Sequence, residues 1–377
     1  MANVSSSNSQ KALVPKLRFP GFEGEWRSVK LSDMAVFRKN RGQTNKAHFV
    51  STENMKQNCA GIEVYPDTEY AEGIKFQEAD ILIANIRPYL KKAWLATFSG
   101  ACSADVLALC PVDILPSFLF SVIGRDSFFD YVMSGAKGSK MPRGDKTHIM
   151  TYTSGVPGCE EQKRISDMMA LLDKRIDAQR RLVESLKSYK RGVTKAIFNP
   201  NSVYQNCAES WRLRKVSELL SYEQPQKYIV QTEHYSSNYA TPVLTANKGF
   251  ILGYTNETTG VYDKGDVVIY DDFTMDMKYV DFPFKVKSST IKFLTAKPGN
   301  NLYFLFCLLQ SLSLTPEGHQ RSYISKVEQM NVFVPSVDEQ SRIAGILKKV
   351  TVILERHEFA LHKLEMLKAG LLNQLFI

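Results

Sequence analysis

Glu160-Glu-Gln-Lys-Arg-Ile165 and Asp338-Glu-Gln-Ser-Arg-Ile343 are nearly the same six residues, 178 positions apart. The offset holds to Phe198 and Phe376, so two 39-residue segments correspond without a gap. A repeat on this scale makes the chain two copies of one unit, where a solenoid would need more and shorter copies. Upstream, a looser match runs at an offset near 185. Trp26-Arg27 with Lys30 and Ser32 answers Trp211-Arg212 with Lys215 and Ser217. Asp80-Ile-Leu-Ile answers Asp266-Val-Val-Ile, and Phe118-Leu-Phe answers Phe304-Leu-Phe.

Both matched segments carry a heptad pattern. The first seam runs Ile165, Met169, Leu172, Ile176, Gln179, Val183, Leu186, Lys190, Val193, Ile197. The second runs Ile343, Leu347, Val350, Leu354, His357, Leu361, Leu364, Lys368, Leu371, Leu375. Eight of ten positions are apolar in each, spaced alternately by four and three, which predicts two coiled-coil helices. Each would be about 57 Å long at 1.5 Å per residue. Ser336-Val-Asp-Glu339 reads as a capping box after Pro335, and Glu160-Glu161 follow Pro157-Gly158, where acids suit the positive helix end. Gln179 and His357 fall at matching midpoints. If the helices pair antiparallel, these two polar residues meet at a pseudo-two-fold axis and set the register, or else His357 edges out to solvent. No carboxylate or second histidine shares the seam of His357, so a metal role is not expected.

The 377 residues suit two to three domains, and 44% apolar with 23% charged residues is ordinary globular composition. No apolar run approaches the roughly 20 residues of a membrane span, and the Ser/Asn-rich start is not a signal peptide. Six cysteines lie scattered without a C-x-x-C pair, which suits reduced thiols and a cytoplasmic location. The net charge of +9 is uneven: +4 over residues 1–159, +4 over 160–198, zero over 199–337 and +1 over 338–377. A basic balance favours a polyanionic partner, less so in the neutral second module.

Each module contains strand-like runs, Ile81–Ala84 and Val106–Leu109 in the first and Val267–Tyr270 and Ile291–Leu294 in the second. Each also has an apolar helix candidate, Phe118–Ile123 and Leu302–Leu309. Donor-rich segments between them are read as loops. The first module offers Arg38, Lys39, Arg41, Gln43, Asn45 and Lys46, then Arg87, Lys91 and Lys92, then Lys140 and Arg143 beside Lys137. The second offers Gln226 and Lys227, Asn247 and Lys248, and Gln320, Arg321 and Tyr323. Arg, Lys, Asn and Gln match base edges, and Lys and backbone amides hold phosphates. Any one such loop is ordinary surface; several in each of two modules point to nucleic acid.

Enzyme signatures are missing: no phosphate-binding loop, no G-x-G-x-x-G, no G-x-S-x-G and no H-E-x-x-H. Phe198-Asn-Pro-Asn201 lacks the second proline and the aromatic residue of an amino-methyltransferase motif. Asp266 with Asp276-Met-Lys278 formally fits a metal-nuclease pattern, which requires both carboxylates to converge on one divalent ion. A metal-dependent nuclease and a coiled-coil scaffold without DNA specificity are the competing readings.

Leu17-Arg-Phe-Pro-Gly-Phe22 followed by Trp26, the two [ED]EQ-[KS]-R-I helix starts and the duplicated long helices resemble the specificity (S) subunit of type I restriction–modification systems. The resemblance covers nearly the whole chain. It implies an α+β fold in which two similar mixed α/β DNA-recognition modules are separated by two long antiparallel coiled-coil helices about a pseudo-two-fold axis. Residues 15–157 and 199–335 would each read half of a split site in double-stranded DNA. Residues 160–198 and 338–377 would set the gap, after a disordered tail over 1–14. The resemblance further implies a non-catalytic subunit that docks two methyltransferase subunits and restriction subunits. S-adenosylmethionine, ATP and Mg would bind on those partners, with no cofactor on this chain, no metal and no membrane.

Overall fold

A computed structural model describes residues 13–64, 66–199, 211–246, 249–312, 314–315 and 321–377. The chain forms two compact units, Met1–Arg180 with Phe359–Ile377, and Arg181–Glu358. In the first unit the strands are β1 (Arg27–Lys30), β2 (Ala35–Phe37), β3 (Arg41–Asn45), β4 (Phe49–Val50), β5 (Tyr70–Phe76), β6 (Ile81–Ala84), β7 (Ala93–Leu95), β8 (Gly100–Cys102), β9 (Val106–Pro111) and β10 (Thr153–Val156). The helices are α1 (Leu31–Met34), α2 (Pro116–Ile123), α3 (Asp126–Ser134), α4 (Lys146–Met150) and the beginning of α5 (Cys159–Phe198).

A sheet of order β2-β9-β6-β7 is the centre of this unit. β6 reads Ile-Leu-Ile-Ala and is buried throughout, because both of its faces are covered. Alternation sends Ile81, Ile83, Leu107 and Leu109 to one core, with Phe118, Leu119 and Val122 of α2. Leu82, Ala84, Val106 and Ala108 go to a second core with Phe76, Trp94 and Cys102. That second core lies under another sheet, of order β3-β5-β8-β4. Two of its glycines are steric necessities: a Cβ on Gly73 would sit 2.2 Å from the Cys102 carbonyl oxygen, and one on Gly100 2.1 Å from that of His48.

The second unit repeats the plan with β11 (Arg212–Lys215), α6 (Val216–Leu219), β12 (Leu220–Glu223), β13 (Thr241–Leu244), β14 (Ile251–Thr255), β15 (Val267–Asp271), β16 (Met277–Val280), β17 (Lys285–Val286), β18 (Ile291–Ala296), α7 (Leu302–Ser311), β19 (Asn331–Val334) and the first part of α8 (Val337–Leu375). Its central sheet, β12-β18-β15-β16, matches β2-β9-β6-β7 strand for strand. The antiparallel ladders β1–β10 and β11–β19 also correspond. Val268, Tyr270 and Leu294 face α7, while Val267, Ile269, Ile291 and Phe293 face the outer sheet. That outer sheet differs in strand number: among the described residues it has three strands, β14-β13-β17, whose parallel pair β13–β17 has a counterpart in β4–β8.

The long helices form as the heptads predict, and every seam position in both is buried or half-buried. They run antiparallel inside each unit. In the first, Asp173 pairs with Lys368 and Arg180 with Glu365 at 2.8 Å, so residue numbers rise on one helix as they fall on the other. In the second, Lys187 reaches Glu358 at 3.2 Å, and Val193, Ile197 and Phe198 share a core with Ile343, Ala344 and Leu347. Each helix therefore ends in the other module's core. Phe376 packs against Trp26 and Phe118, with ring centroids 6.2 and 5.3 Å away. Phe198 meets Phe304 at 5.4 Å, and Trp211 meets Phe304 at 6.1 Å. The repeat in sequence is thus a repeated aromatic cluster in space.

The described cysteines are all free. Burial pushes the thiols of Cys102 and Cys307 up to about 12 and that of Cys59 up to about 11, whereas Cys159 is exposed. Among the described residues, no helix is long and apolar enough to cross a membrane.

Candidate nucleic-acid interface

The interface candidates follow from what the central sheet leaves at its ends. In the first module β6 runs into a turn over residues 85–92 that contains two non-glycine residues in the left-handed region, Arg87 and Lys91, both at φ +50°. L-residues adopt that conformation at a cost of order 1 kcal/mol or more, so it persists only when its surroundings hold it. Here they do. Arg87 N–H donates to the Pro142 carbonyl at 2.8 Å, Gly144 N–H to Asn85 O at 3.0 Å, and Asn85 N–H to Asp105 O at 2.8 Å. Lys137 and Arg143 exchange two backbone hydrogen bonds of 2.9 Å. The segments 85–92 and 137–144 thereby form one ledge. Arg87 and Lys140 are exposed on it and make no ion pair among the described residues. Arg143, 60% exposed, pairs with Asp105 at 2.9 Å. Lys137 pairs with Asp145, whose carboxyl is held below its ordinary range first by that lysine and then by the N–H groups of His148 and Thr147. Tyr89 and Met141 are large exposed side chains on the same two segments.

Most other expected contacts of the first module are occupied. Arg38 is a strut: its guanidinium grips the buried Asp80 through two hydrogen bonds of 2.9 and 3.0 Å and also reaches Gln77. A bidentate pair at a buried carboxylate is spoken for, which removes Arg38 from the surface set. Arg41 to Asn45 form strand β3 and not a loop, because they pair with Tyr70 to Ile74 of β5. Arg41 meets Glu72 at 3.2 Å, Lys46 meets Glu69, and Asn45 caps a short turn by accepting from Ala47 N–H. Gln43 and Lys39 remain exposed. Lys91 pairs with Asp126 at 2.7 Å, and Lys92 donates to the Thr52 carbonyl at 2.7 Å.

The second module diverges at the same place. The turn after β15 reads Asp272-Phe-Thr-Met-Asp276, where the first module has Asn85-Ile-Arg-Pro-Tyr89. Asp271 accepts from Phe273 and Thr274 N–H and from the Thr290 hydroxyl. Asp272 accepts from Tyr323 N–H at 2.9 Å and lies 3.2 Å from Lys292, both side chains being about 1% exposed. Tyr323 is a core residue, packed between Tyr222 and Tyr270, and not a surface contact. It sits in a turn of helix, Tyr323–Val327, that no periodicity in the sequence signals. Arg321, Gln226 and Lys227 are exposed. Asn247, Lys248 and Gln320 lie outside the described residues.

The nuclease pattern does not assemble. Asp266 precedes β15 and Asp276 precedes β16, and the register pairs Val267 with Val280 and Tyr270 with Met277, so the two acids sit at opposite ends of a hairpin. Five residues of strand put them roughly 16 Å apart. Asp266 instead accepts from the Tyr279 hydroxyl. No group of three His, Cys, Asp or Glu among the described residues could hold a metal ion.

The helix starts contain a device that the sequence reading passed over. Gln162 donates to the Pro157 carbonyl and accepts from Leu115 N–H, and Gln340 donates to the Pro335 carbonyl and accepts from Asn301 N–H. Both glutamines are buried, so the shared Glu-Gln dipeptide latches each long helix to the segment entering α2 or α7. Its exact repetition was the available signal. Glu161, 3% exposed, also takes both Nε and Nη2 of Arg18 at 2.8 Å, which gives the Leu17-Arg-Phe-Pro-Gly-Phe22 segment a structural role. Gln179 and His357 are each half-buried at their helix midpoints, next to the boundary between the two units.

Comparison with known proteins agrees with this architecture. Residues 208–365 match the type I restriction modification DNA specificity domain family. Over 147 residues the chain is 42% identical to the EcoR124I/EcoR124II type I restriction enzyme specificity subunit of Escherichia coli, a stretch covering 37% of this chain and 36% of that relative's own length. A MjaVIII type I specificity subunit of Methanocaldococcus jannaschii is 24% identical over 282 residues, 65% of this chain and 66% of its own. The crystal structure of a type I restriction–modification S subunit from M. genitalium shares the fold, with a TM-score of 0.70 at 13% identity, covering 96% of this chain and 99% of that one. By its duplicated modules, its latched helix starts and these matches, the chain is similar to the type I restriction–modification specificity subunits, spanning about a third of the length of the first of these relatives.

Proposed function

We propose that this chain is the non-catalytic DNA-recognition subunit of a type I restriction–modification complex. Each module reads one half of a bipartite site, and the long helices set the number of unspecified base pairs between the halves. The observation that carries this reading is a constant frame with a variable outer layer. The two central sheets have the same order, while the outer sheets differ in strand number and the turns beyond β6 and β15 differ in charge. Such a design suits two readers that are held alike and read differently, since base identity is taken from groups at groove edges and not from the frame.

In this reading two methyltransferase subunits and restriction subunits assemble on the chain in the cytoplasm. S-adenosylmethionine, ATP and Mg act on those partners. Gln179 and His357 help hold the helix register where the seam is polar.

Co-expression with the modification subunit, followed by mapping of methyladenine across a sequenced genome, tests the proposal. Methylation confined to two short sequences around a constant gap is the expected result, and exchange of one module changes one half-site only. Removal of one heptad from each helix, about 10 Å of helix, shortens the gap by about three base pairs. A complex that forms and is active but methylates without sequence preference would overturn the reading in favour of a scaffold.

A further inference from the structure

We infer that the two modules hold DNA unequally, and that the ledge built from residues 85–92 and 137–144 of the first module is the anchor on the phosphate backbone. This rests on the DNA-recognition reading above and assigns the roles within it.

Three observations converge. The ledge is rigid in its backbone, because three hydrogen bonds of 2.8 to 3.0 Å tie the turn after β6 to the segment before α4 and to Asp105, and two of 2.9 Å close that segment on itself. Rigidity matters because a phosphate contact that must first be ordered loses part of its gain to entropy. The ledge also presents Arg87 and Lys140 exposed and without an ion-pair partner among the described residues, next to Arg143. Most other cations named for this module are paired with Asp80, Glu72, Glu69 or Asp126. An exposed Tyr89 and Met141 accompany the cations, which is the mixture of charge and flat apolar surface that nucleic-acid grooves favour.

The third observation is the contrast with the other module. The backbone bonds from Gly144 to Asn85 and from Asn85 to Asp105 recur from Ser322 to Asp272 and from Asp272 to Thr290, so Arg87 and Tyr89 answer Thr274 and Asp276. Asp271 and Asp272 bond inward to their own turn, to Thr290 and to Tyr323. Arg321 alone keeps a basic residue where Arg143 stands in the first copy, at the 178 offset. A turn with an exposed carboxylate at Asp276 repels phosphate, so this position of the second module does not follow the backbone.

The test is salt-dependent DNA binding by the full chain assembled with its modification subunits, on a duplex carrying the mapped site and on an unrelated duplex. Each lost phosphate contact lowers the slope of log affinity against log salt by about 0.9. Arg87→Gln with Lys140→Gln is expected to reduce the slope by about 1.8 on both duplexes. Between 50 and 200 mM salt the parent would then lose about 12-fold more affinity than the variant. Arg87→Lys with Lys140→Arg keeps the charges and is expected to keep the slope. Asp276→Asn should leave the slope unchanged. An unaltered slope in the Gln variant, or an equal drop from Arg321→Gln, overturns the unequal grip while leaving DNA recognition intact. Absence of any salt-dependent binding by the parent complex overturns the recognition reading itself.

Discussion

At the end of the central sheet the first module has Asn85 and Leu107; at the positions that the same ladder register and backbone bonds occupy, the second has Asp272 and Lys292. Both modules must close the same gap between this turn and the segment leading back to the ladder strand. The first does so with backbone hydrogen bonds, from Arg87 to Pro142 and from Gly144 to Asn85. The second keeps a matching backbone bond, Ser322 N–H to Asp272 O at 3.1 Å, and adds side chains: Asp272 accepts from Tyr323 N–H, and Lys292, 1% exposed, bridges Asp272 and Gln224. The difference shows how one frame yields two surfaces. Closure by the backbone alone leaves the turn's side chains free to face outward as cations, whereas the added side-chain bonds of the second module commit an acid and a lysine to the interior.

The shared part of that comparison predicts the largest effects. Phe118→Ala and Phe304→Ala remove equivalent, fully buried rings from the two aromatic clusters. Each should cost about 3–5 kcal/mol, as large-to-small changes of buried aromatics do. Chemical denaturation of the two variants is expected to give similar losses. A loss confined to one of them would show that the clusters are not equivalent.

The divergent part predicts a coupling found in one module only. Lys292→Val leaves Asp272 buried without its cation and should cost about 3–5 kcal/mol. Joining it to Asp272→Ile removes both charges, and the double variant should lose less than the two single losses together, with a coupling of about 1–3 kcal/mol. Strict additivity in that cycle would mean the pair does not act as a unit.

A smaller effect separates the modules by pH. Burial works to raise the pKa of Glu257, but Lys285 Nζ at 2.7 Å and the N–H groups of Thr232 and Gln231 outweigh it, so the carboxyl titrates below its ordinary range. A depressed folded-state pKa contributes stability that is present above the unfolded value, about 4.3. That contribution is lost as pH falls through the folded value. Glu257→Gln should therefore melt below the parent at pH 7, with the difference shrinking as the pH drops toward 3. A pH-independent difference would assign the loss to packing.

Much of this was legible in the residues. The repeat, the heptad seams, four central strands and both apolar helices are written as patterns of period 2 or 3.5 with long-range self-similarity, and such patterns survive any detail of packing. The seam residues are buried or half-buried as their spacing requires. The surface was legible only in part. Arg87, Lys140, Arg143 and Arg321 are exposed as expected. Arg38 and Tyr323 are not, because their partners, Asp80, Tyr222 and Tyr270, lie between 42 and 101 positions away and no local signal names them.

The sequence by itself determined that the chain is a duplicated α+β unit with two coiled-coil helices, since hydrophobic period and internal repetition are properties of the string. Only the tertiary structure decided which polar residues are free. A cation's availability depends on the carboxylate that folding brings within about 3 Å of it, and that distance is set by register and sheet order, not by neighbours in the chain.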